Sequence, residues 1–125
     1  MSKLNILTCN VRGLHDPKKR QNLFLWIQDQ NADIIFLQET FCTKDLEPYI
    51  KSCWKGNVYN SCSDSSHSRG VSVLFKQNFD CKVISSEVDQ SGRLILINFE
   101  YQNEIFSVLS VYAPNIELQR VEFLK

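Results

Sequence analysis

The hydrophobic residues at the start of the chain form two short uninterrupted runs. The first extends from Leu4 to Cys9 and stops at Asn10-Val11-Arg12-Gly13, a polar stretch with turn chemistry. The second, Ile34 to Leu37, lacks the alternation of a half-exposed strand and precedes Gln38-Glu39-Thr40. Because a strand covered on both faces has apolar side chains at consecutive positions, these runs predict two buried strands, each leading into a loop.

The segment between these strands has a helical pattern. Asp16 is a favourable N-cap, and Pro17 suits the first helical position. Apolar residues then recur at helical spacing, at Leu23, Trp26 and Ile27. An amphipathic helix that ends near Asn31 is therefore predicted. Strand, helix and strand make a βαβ unit, whose right-handed crossover leaves the strands parallel and their carboxyl ends at one edge of the sheet.

The rest of the chain has shorter and more regular hydrophobic segments. Leu46 to Cys53 suggests a short helix, and Ser61 to Arg69 is a polar loop. Four strand-like segments follow with turn residues between them: Gly70 to Phe75, Cys81 to Val88, Arg93 to Tyr101 and Ile105 to Tyr112. This spacing predicts an antiparallel meander. Pro114 breaks the last strand, and a helical pattern begins at Ile116.

Composition and charge limit the function classes. The chain has 125 residues, with 14 Lys and Arg against 14 Asp and Glu, and therefore no formal net charge. The length allows one small globular domain, and the neutral charge lacks the basic footprint of a protein held to nucleic acid by bulk electrostatics. If this chain binds DNA, a local site must hold it.

The cysteines and the apolar runs indicate a compartment. Five cysteines are spread along the chain without a C-x-x-C pair, which predicts reduced thiols in an intracellular protein. The opening residues lack a long apolar signal segment, and no apolar run approaches the length of a membrane span. Neither secretion nor membrane insertion is expected.

Polar side chains follow three of the predicted strands. Asn10, Glu39 and Tyr112 come at or directly after strand ends, where ligands of α/β sheets bind. The Glu39 carboxylate suits Mg²⁺, which binds through one carboxylate and keeps several waters. The Asn10 amide and the Tyr112 phenol can position a phosphate. Together these groups are suited to the hydrolysis of a phosphate ester. Taken singly, each residue has a simpler interpretation: a solvated Glu39, a turn at Asn10 and a half-buried strand residue at Tyr112.

Four segments taken together carry a family resemblance. They are Asn10-Val11-Arg12-Gly13-Leu14, Leu37-Gln38-Glu39-Thr40, Gly70-Val71-Ser72-Val73-Leu74-Phe75 and Val111-Tyr112-Ala113-Pro114-Asn115. In this order, the chain from Leu4 onward resembles the endonuclease/exonuclease/phosphatase superfamily. It is most similar to the apurinic-type endonuclease domain at the amino terminus of non-LTR retrotransposon polyproteins.

The resemblance implies roles for individual residues. It implies that Glu39 ligates Mg²⁺, for which Mn²⁺ can substitute, and that Asn10 orients the metal and the phosphate. It further implies that Tyr112 contacts the scissile phosphate and that Asn115 hydrogen-bonds the DNA backbone. Arg12 stands where repair relatives have an acidic residue, and it either grips phosphate or is a solvated loop residue.

The resemblance also implies a fold. We expect the amino-terminal half of a deoxyribonuclease I-like four-layer α/β sandwich, with a mixed sheet covered by helices on one face. Residues 1–125 would then be a partial domain, cut before the carboxy-terminal catalytic motifs. The other sheet face would lack its covering sheet, and this exposed apolar face predicts self-association.

The later family motifs, a Gly-Asp-Phe-Asn type and a Ser-Asp-His type segment, have no match in this chain. They supply the general base and the catalytic histidine, and neither His15 nor His67 is expected to replace it. The function expected is therefore that of a fragment of a Mg²⁺-dependent DNA endonuclease of retrotransposon type, inactive alone and nuclear in a functional element. The alternatives are a superfamily enzyme acting on another phosphate ester and a non-catalytic remnant or truncated gene product.

The basic stretch Lys18-Lys19-Arg20 lies at the start of the predicted helix, where positive charge opposes the helix dipole. A contact with the DNA backbone would explain it. A solvated helix face is the favoured interpretation.

Overall fold

A computed structural model of the protein describes residues 4–112. Asn115 and the helical pattern from Ile116 onward lie outside the described residues. The chain opens with β1 (Ile6–Asn10) and β2 (Ile34–Gln38), which pair in parallel with Asn10 opposite Gln38. The predicted βαβ unit is confirmed, and its strands end at the same edge of the sheet. The prediction of burial on both faces is wrong for β1, whose residues alternate between exposed and half-buried because it is the edge strand of its sheet.

The connecting helix, α1 (Pro17–Gln30), begins and ends where the sequence predicts. The Asp16 side chain accepts a hydrogen bond from the Lys18 backbone N–H, and Pro17 occupies the first turn, where it has no N–H to leave unsatisfied. Asn31 ends the helix in the left-handed conformation with φ 55°. Asparagine tolerates this conformation better than most residues, so a local signal determines each end.

The first sheet has the strand order β1-β2-β4-β3, with β3 (Val58–Ser61) and β4 (Val71–Phe75) antiparallel to their neighbours. The short predicted helix is confirmed as α2 (Glu47–Ser52). The sequence analysis missed β3 because it is short and carries polar side chains. One of these, Asn60, is buried and accepts a hydrogen bond from the Ser72 hydroxyl of β4.

The second sheet is a meander of β5 (Lys82–Val88), β6 (Leu94–Tyr101) and β7 (Glu104–Val111). The prediction of four consecutive meander strands is wrong for β4, which pairs with β2 and β3 in the first sheet. The reason is burial on both faces. All five residues of β4 are buried, which requires a central position, whereas β5 is mostly exposed.

The two faces of the first sheet are covered by different layers. The helices pack on one face through Phe24 and Ile27 of α1 and Ile50 of α2. The second sheet packs on the other face, where Phe75 of β4 meets Phe99 of β6 edge to face with ring centroids 5.5 Å apart. The helical layer and the two sheets give the predicted α/β sandwich.

The expectation of an exposed apolar face on the first sheet is therefore wrong over β4, whereas at the edge strand β1 the side chain of Ile6 is 52% exposed. The chain itself supplies the covering sheet, since Ile95, Ile97 and Phe99 of β6 are fully buried against it. The physical basis for self-association is therefore reduced to the uncovered part of the sheet at β1. Self-association stays a prediction, which gel filtration of the chain checks.

The cysteines differ from the sequence expectation. Cys42 and Cys62 form a disulfide with Cα atoms 4.7 Å apart, so the prediction of five reduced thiols is wrong for this pair. The antiparallel pairing of β3 with β4 brings the end of β3 beside the loop after β2, which a spacing of 20 residues in the sequence does not reveal. Cys9, Cys53 and Cys81 are free.

Neither helix of residues 4–112 has the length and hydrophobicity required to cross a membrane.

Candidate active site

Asn10 and Glu39 are in direct contact at the edge where β1 and β2 end. The Asn10 amide Nδ2 donates a hydrogen bond of 2.6 Å to Glu39 Oε2. The parallel register pairs Asn10, the last residue of β1, with Gln38, so Glu39 comes beside Asn10 as the first residue after β2. A bond to a carboxylate is stronger than one between neutral groups, and it leaves the Asn10 carbonyl oxygen available to a ligand.

The segment Glu39–Cys42, named here the Glu39 loop, is held on two sides by backbone hydrogen bonds. On one side, Gly13 N–H donates to the Glu39 carbonyl at 2.7 Å. On the other, Thr40 N–H donates to the Gly70 carbonyl at 3.0 Å. Glu39 and Phe41 have φ of 54° and 57°, a conformation unfavourable for residues with a Cβ. Such a backbone persists only where its surroundings hold it.

The start of α1 supports the loop that follows β1. Arg20 is 6% exposed, and its Nη1 donates to the Leu14 carbonyl at 2.8 Å and to the His15 carbonyl at 3.3 Å. Lys19 Nζ donates to the Arg12 carbonyl at 3.0 Å. The favoured interpretation of a solvated helix face is therefore wrong for Arg20. Its charge satisfies loop carbonyls that sequence spacing alone does not locate.

Replacing Arg20 by methionine is expected to lower the free energy of unfolding by about 1–3 kcal/mol, because the buried Leu14 carbonyl loses its donor. The loss stays moderate because Arg20 Nε is itself buried without a hydrogen-bond partner. Urea denaturation of the chain measures it. Lys18→Met on the same helical turn, whose side chain is exposed, is the matched control and should change stability by less than about 0.5 kcal/mol.

A cleft of about 340 Å³ lies beside the Glu39 loop. Its lining residues come from the loop after β1, the first turn of α1, the Glu39 loop and the loop before β4: Arg12, Gly13, His15, Asp16, Lys19, Phe41, Ser66 and His67. His15 Nε2 forms a hydrogen bond of 2.9 Å with the Phe41 carbonyl. Both histidines are exposed, and the fold brings them into one cleft with Arg12 and Lys19.

Tyr112 directly follows β7 of the second sheet, and its side chain is half-buried against the contact between the sheets. Its backbone N–H donates to the Arg93 carbonyl at 2.8 Å, and the adjacent Gly92 carbonyl accepts from Gly70 N–H at 2.9 Å. Gly70 in turn contacts Thr40, so hydrogen bonds connect this end of the second sheet to the Glu39 loop. Asn115, the predicted DNA-backbone contact, lies outside the described residues.

The turn between β5 and β6 belongs to this support. The Ser91 hydroxyl and backbone N–H donate to the Asp89 carboxylate. These bonds hold the pKa of Asp89 below its ordinary value, because they favour the ionised carboxylate. The bond from the Ser91 hydroxyl has the largest effect on this pKa. The turn positions Gly92 so that its carbonyl accepts the hydrogen bond from Gly70 N–H.

The supporting residues Gly70 and Arg20 were missed as parts of the site. The sequence shows Gly70 at the start of a predicted strand, but it does not show that this glycine contacts Thr40. That contact joins the segment before β4 to the loop after β2. Arg20 was visible only as one of three consecutive basic residues.

The donor chemistry of the edge fits a hydrated hard cation. Residues 4–112 contain no group of three or more His, Cys, Asp or Glu side chains placed to enclose a metal. Glu39 offers one half-buried carboxylate, and Asn10 offers an amide oxygen beside it. Mg²⁺ usually keeps several waters and binds through one or two carboxylates together with substrate phosphate, so these two residues are compatible with it.

Comparison with known families decides the assignment. The Endonuclease/Exonuclease/phosphatase family matches residues 7–123. The chain belongs to this family. The family resemblance predicted from the sequence is therefore confirmed. The two-sheet α/β architecture is the deoxyribonuclease I-like fold of the family's members.

Relatives of this family member include transposon and nuclease proteins. The Transposon TX1 uncharacterized 149 kDa protein of Xenopus laevis is 29% identical over 122 residues, which cover 98% of this chain and 9% of that protein. The exodeoxyribonuclease of Bacillus subtilis (strain 168) is 30% identical over 129 residues, covering 96% of this chain and 47% of that protein. The chain thus spans less than half the length of these curated relatives.

A solved structure with a similar fold comes from a retrotransposon. The endonuclease domain of TRAS1, a telomere-specific non-LTR retrotransposon, aligns with a TM-score of 0.57 and 13% identity. The alignment covers 98% of this chain and 54% of that chain. The similarity supports the fold over nearly all of the sequence.

Proposed function

We propose that this chain is part of a Mg²⁺-dependent DNA endonuclease of retrotransposon type. The observation that carries the proposal is the contact between Asn10 and Glu39 at the sheet edge of an endonuclease/exonuclease/phosphatase family member. The similarity to a transposon protein over nearly the whole chain favours DNA as the substrate. A nuclear site of action follows from the same proposal.

Each residue of the edge has a proposed task. Glu39 would hold the ion through its carboxylate, with Mn²⁺ able to replace Mg²⁺, and Asn10 would orient Glu39 and a phosphate oxygen. The bound ion would supply charge neutralisation at the phosphoryl oxygens and a more acidic water. Tyr112 would donate a hydrogen bond to the scissile phosphate, since backbone hydrogen bonds through Arg93, Gly92 and Gly70 connect its end of the second sheet to the Glu39 loop.

The cleft beside the Glu39 loop supports contact with the DNA backbone. Arg12 and Lys19 line it next to two imidazoles, and the carboxylate of Asp16 is the acidic group among the lining residues. This position favours the phosphate-gripping role of Arg12 over that of an unengaged loop residue. A local cluster of this kind is what a chain without net charge needs to bind a polyanion.

The chain by itself is proposed to cleave poorly. The aspartate general base and the histidine-aspartate pair implied by the family resemblance have no match in residues 1–125. General-base catalysis alone contributes about 10²- to 10⁴-fold to a rate, so a chain without these groups should be slower by at least this factor.

A nicking assay on supercoiled plasmid tests the proposal. The 125-residue chain is compared with a form extended by the downstream sequence, each with Mg²⁺ and with EDTA. The extended form should convert supercoiled to open-circular plasmid with Mg²⁺ and stop in EDTA, while the short chain leaves the plasmid intact. Equal nicking by both forms would contradict the incomplete-site proposal, and nicking undiminished by EDTA would contradict the metal dependence.

A further inference from the structure

We propose that the Cys42–Cys62 disulfide is a positioning brace for the Glu39 loop, and that its thiol or disulfide state controls divalent-cation binding there. The proposal rests on the proposed role of Glu39 as the metal-binding carboxylate. It assigns to the disulfide a task at the site in addition to fastening the core.

The disulfide closes the end of the Glu39 loop. Cys42 is fully buried and joins Cys62, the first residue after β3. Beside the disulfide, Ser63 N–H donates to the Cys42 carbonyl at 2.9 Å. Within the loop, Cys42 N–H donates to Thr40 Oγ1 at 3.2 Å. The disulfide therefore lies only three positions beyond Glu39. Hydrogen bonds of Cys42 to Thr40 and to Ser63 flank it.

The loop needs such a brace because its backbone is strained. Glu39 and Phe41 are both in the left-handed region, at φ 54° and 57°. Their backbone groups are held by bonds to the loop after β1 and to residues 69–70, all of which are themselves loop segments. The disulfide ties this strained segment to the end of a sheet strand, which is a more rigid element.

Reduction would remove the tie without removing any side chain. A dithiol such as dithiothreitol attacks the half-buried Cys62 sulfur, since Cys42 is inaccessible, and displaces Cys42 as a thiolate that takes up a proton. The second thiol of the reagent then displaces Cys62. Two cysteine thiols form, and the reagent becomes a cyclic disulfide. The Glu39 loop is then free to relax toward ordinary backbone angles.

The first measurement establishes the bond. In the denatured chain purified without reductant, Ellman's reagent should react with the three free cysteines, Cys9, Cys53 and Cys81. After reduction, all five cysteines should react. A peptide that joins Cys42 to Cys62 should appear in non-reducing mass spectrometry. Five reactive thiols in the chain after mild oxidation would overturn the proposal.

The second measurement is the affinity of the 125-residue chain for Mn²⁺, followed by electron paramagnetic resonance. Reduction of the wild-type chain and the Cys62→Ser substitution should each weaken Mn²⁺ binding by about tenfold, as loss of groups that orient a metal ligand does. Reoxidation should restore the affinity of the wild type. Dithiothreitol should not affect Cys62→Ser further.

Cys53→Ser is the matched control, because Cys53 is also half-buried but free. It should bind Mn²⁺ like the oxidised wild type and keep its response to dithiothreitol. If Cys53→Ser lost affinity as Cys62→Ser does, the effect would belong to general weakening of the core and the brace would be overturned.

Amide hydrogen exchange separates the brace from the metal site. Reduction should speed exchange at Thr40 and Phe41, whose N–H groups bond to residues 69–70, while leaving β6 unchanged. If reduction speeds amide exchange at Thr40 and Phe41 but neither the oxidised nor the reduced chain binds Mn²⁺, the proposed metal site is contradicted. The role of the disulfide in holding the Glu39 loop would still be supported. Equal Mn²⁺ affinity in both states would overturn the control of cation binding, whatever the exchange result.

Discussion

Replacing Glu39 by glutamine is expected to lower the rate of plasmid nicking by the extended protein by at least about a hundredfold. The reason is the loss of the negative charge that would hold the cation, since even groups that only orient a ligand cost 10–100-fold when removed. The amide oxygen of glutamine can still accept the bond from Asn10 Nδ2, so the shape of the site is kept. Initial rates at a fixed Mg²⁺ concentration that just saturates the wild-type protein measure the effect.

The control for this substitution is Glu87→Gln, which removes a carboxylate of the same size from an exposed position on β5. It should nick like the wild type. Both variants should unfold within about 1 kcal/mol of the wild type, as substitutions of half-exposed or exposed residues usually do. A Glu39→Gln enzyme with wild-type nicking would show that another group binds the cation.

Replacing Gly70 by alanine is expected to destabilise the chain by about 3 kcal/mol, a sum of left-handed strain and overpacking. Gly70 has φ +86°, and a Cβ there would lie 2.4 Å from Thr40 Oγ1 and 2.8 Å from Cys42 N. Backbone atoms of the Glu39 loop would have to move, so this change should also weaken Mn²⁺ binding. Urea denaturation and Mn²⁺ titration measure the two effects.

Gly92→Ala separates the two causes. Gly92 has a similar φ of +78°, but its nearest contact for an added Cβ is Gly70 N at 3.0 Å, and it does not touch the Glu39 loop. It should lose about 1–2 kcal/mol, mainly from backbone strain, although the added Cβ would also lie 3.1 Å from Ser63 and 3.2 Å from Arg69. Its Mn²⁺ affinity should fall less than that of Gly70→Ala, because no atom of the Glu39 loop lies against this Cβ. Equal destabilisation by the two alanines would show that contact with Thr40 and Cys42 adds nothing.

The elements with local signals were predicted correctly. An N-cap at Asp16, a proline at the first helical position and an asparagine at the end define α1, and each signal acts within a few residues. The order strand, helix, strand likewise predicted a parallel pair, which explains why Asn10 and Glu39 could be placed at one edge. Their hydrogen bond follows from that register.

Features that depend on distant pairing were predicted poorly. The place of β4 between β2 and β3, the covering of its other face by β6, and the Cys42–Cys62 disulfide all join segments far apart in the sequence. A hydrophobic segment predicts a strand, but it does not show which strand pairs with it or whether both of its faces are covered, as the exposed β1 demonstrates.

Local signals in the sequence thus predicted helix α1, the ends of β1 and β2 and the residues proposed to carry the chemistry, because capping, periodicity and side-chain type are local properties. Only the tertiary structure decided how the site is supported. Arg20 against the loop after β1, Gly70 against Thr40, and Cys42 against Cys62 are contacts between separate elements. They exist because two sheets and two helices pack at close distance, and packing is set by the whole chain.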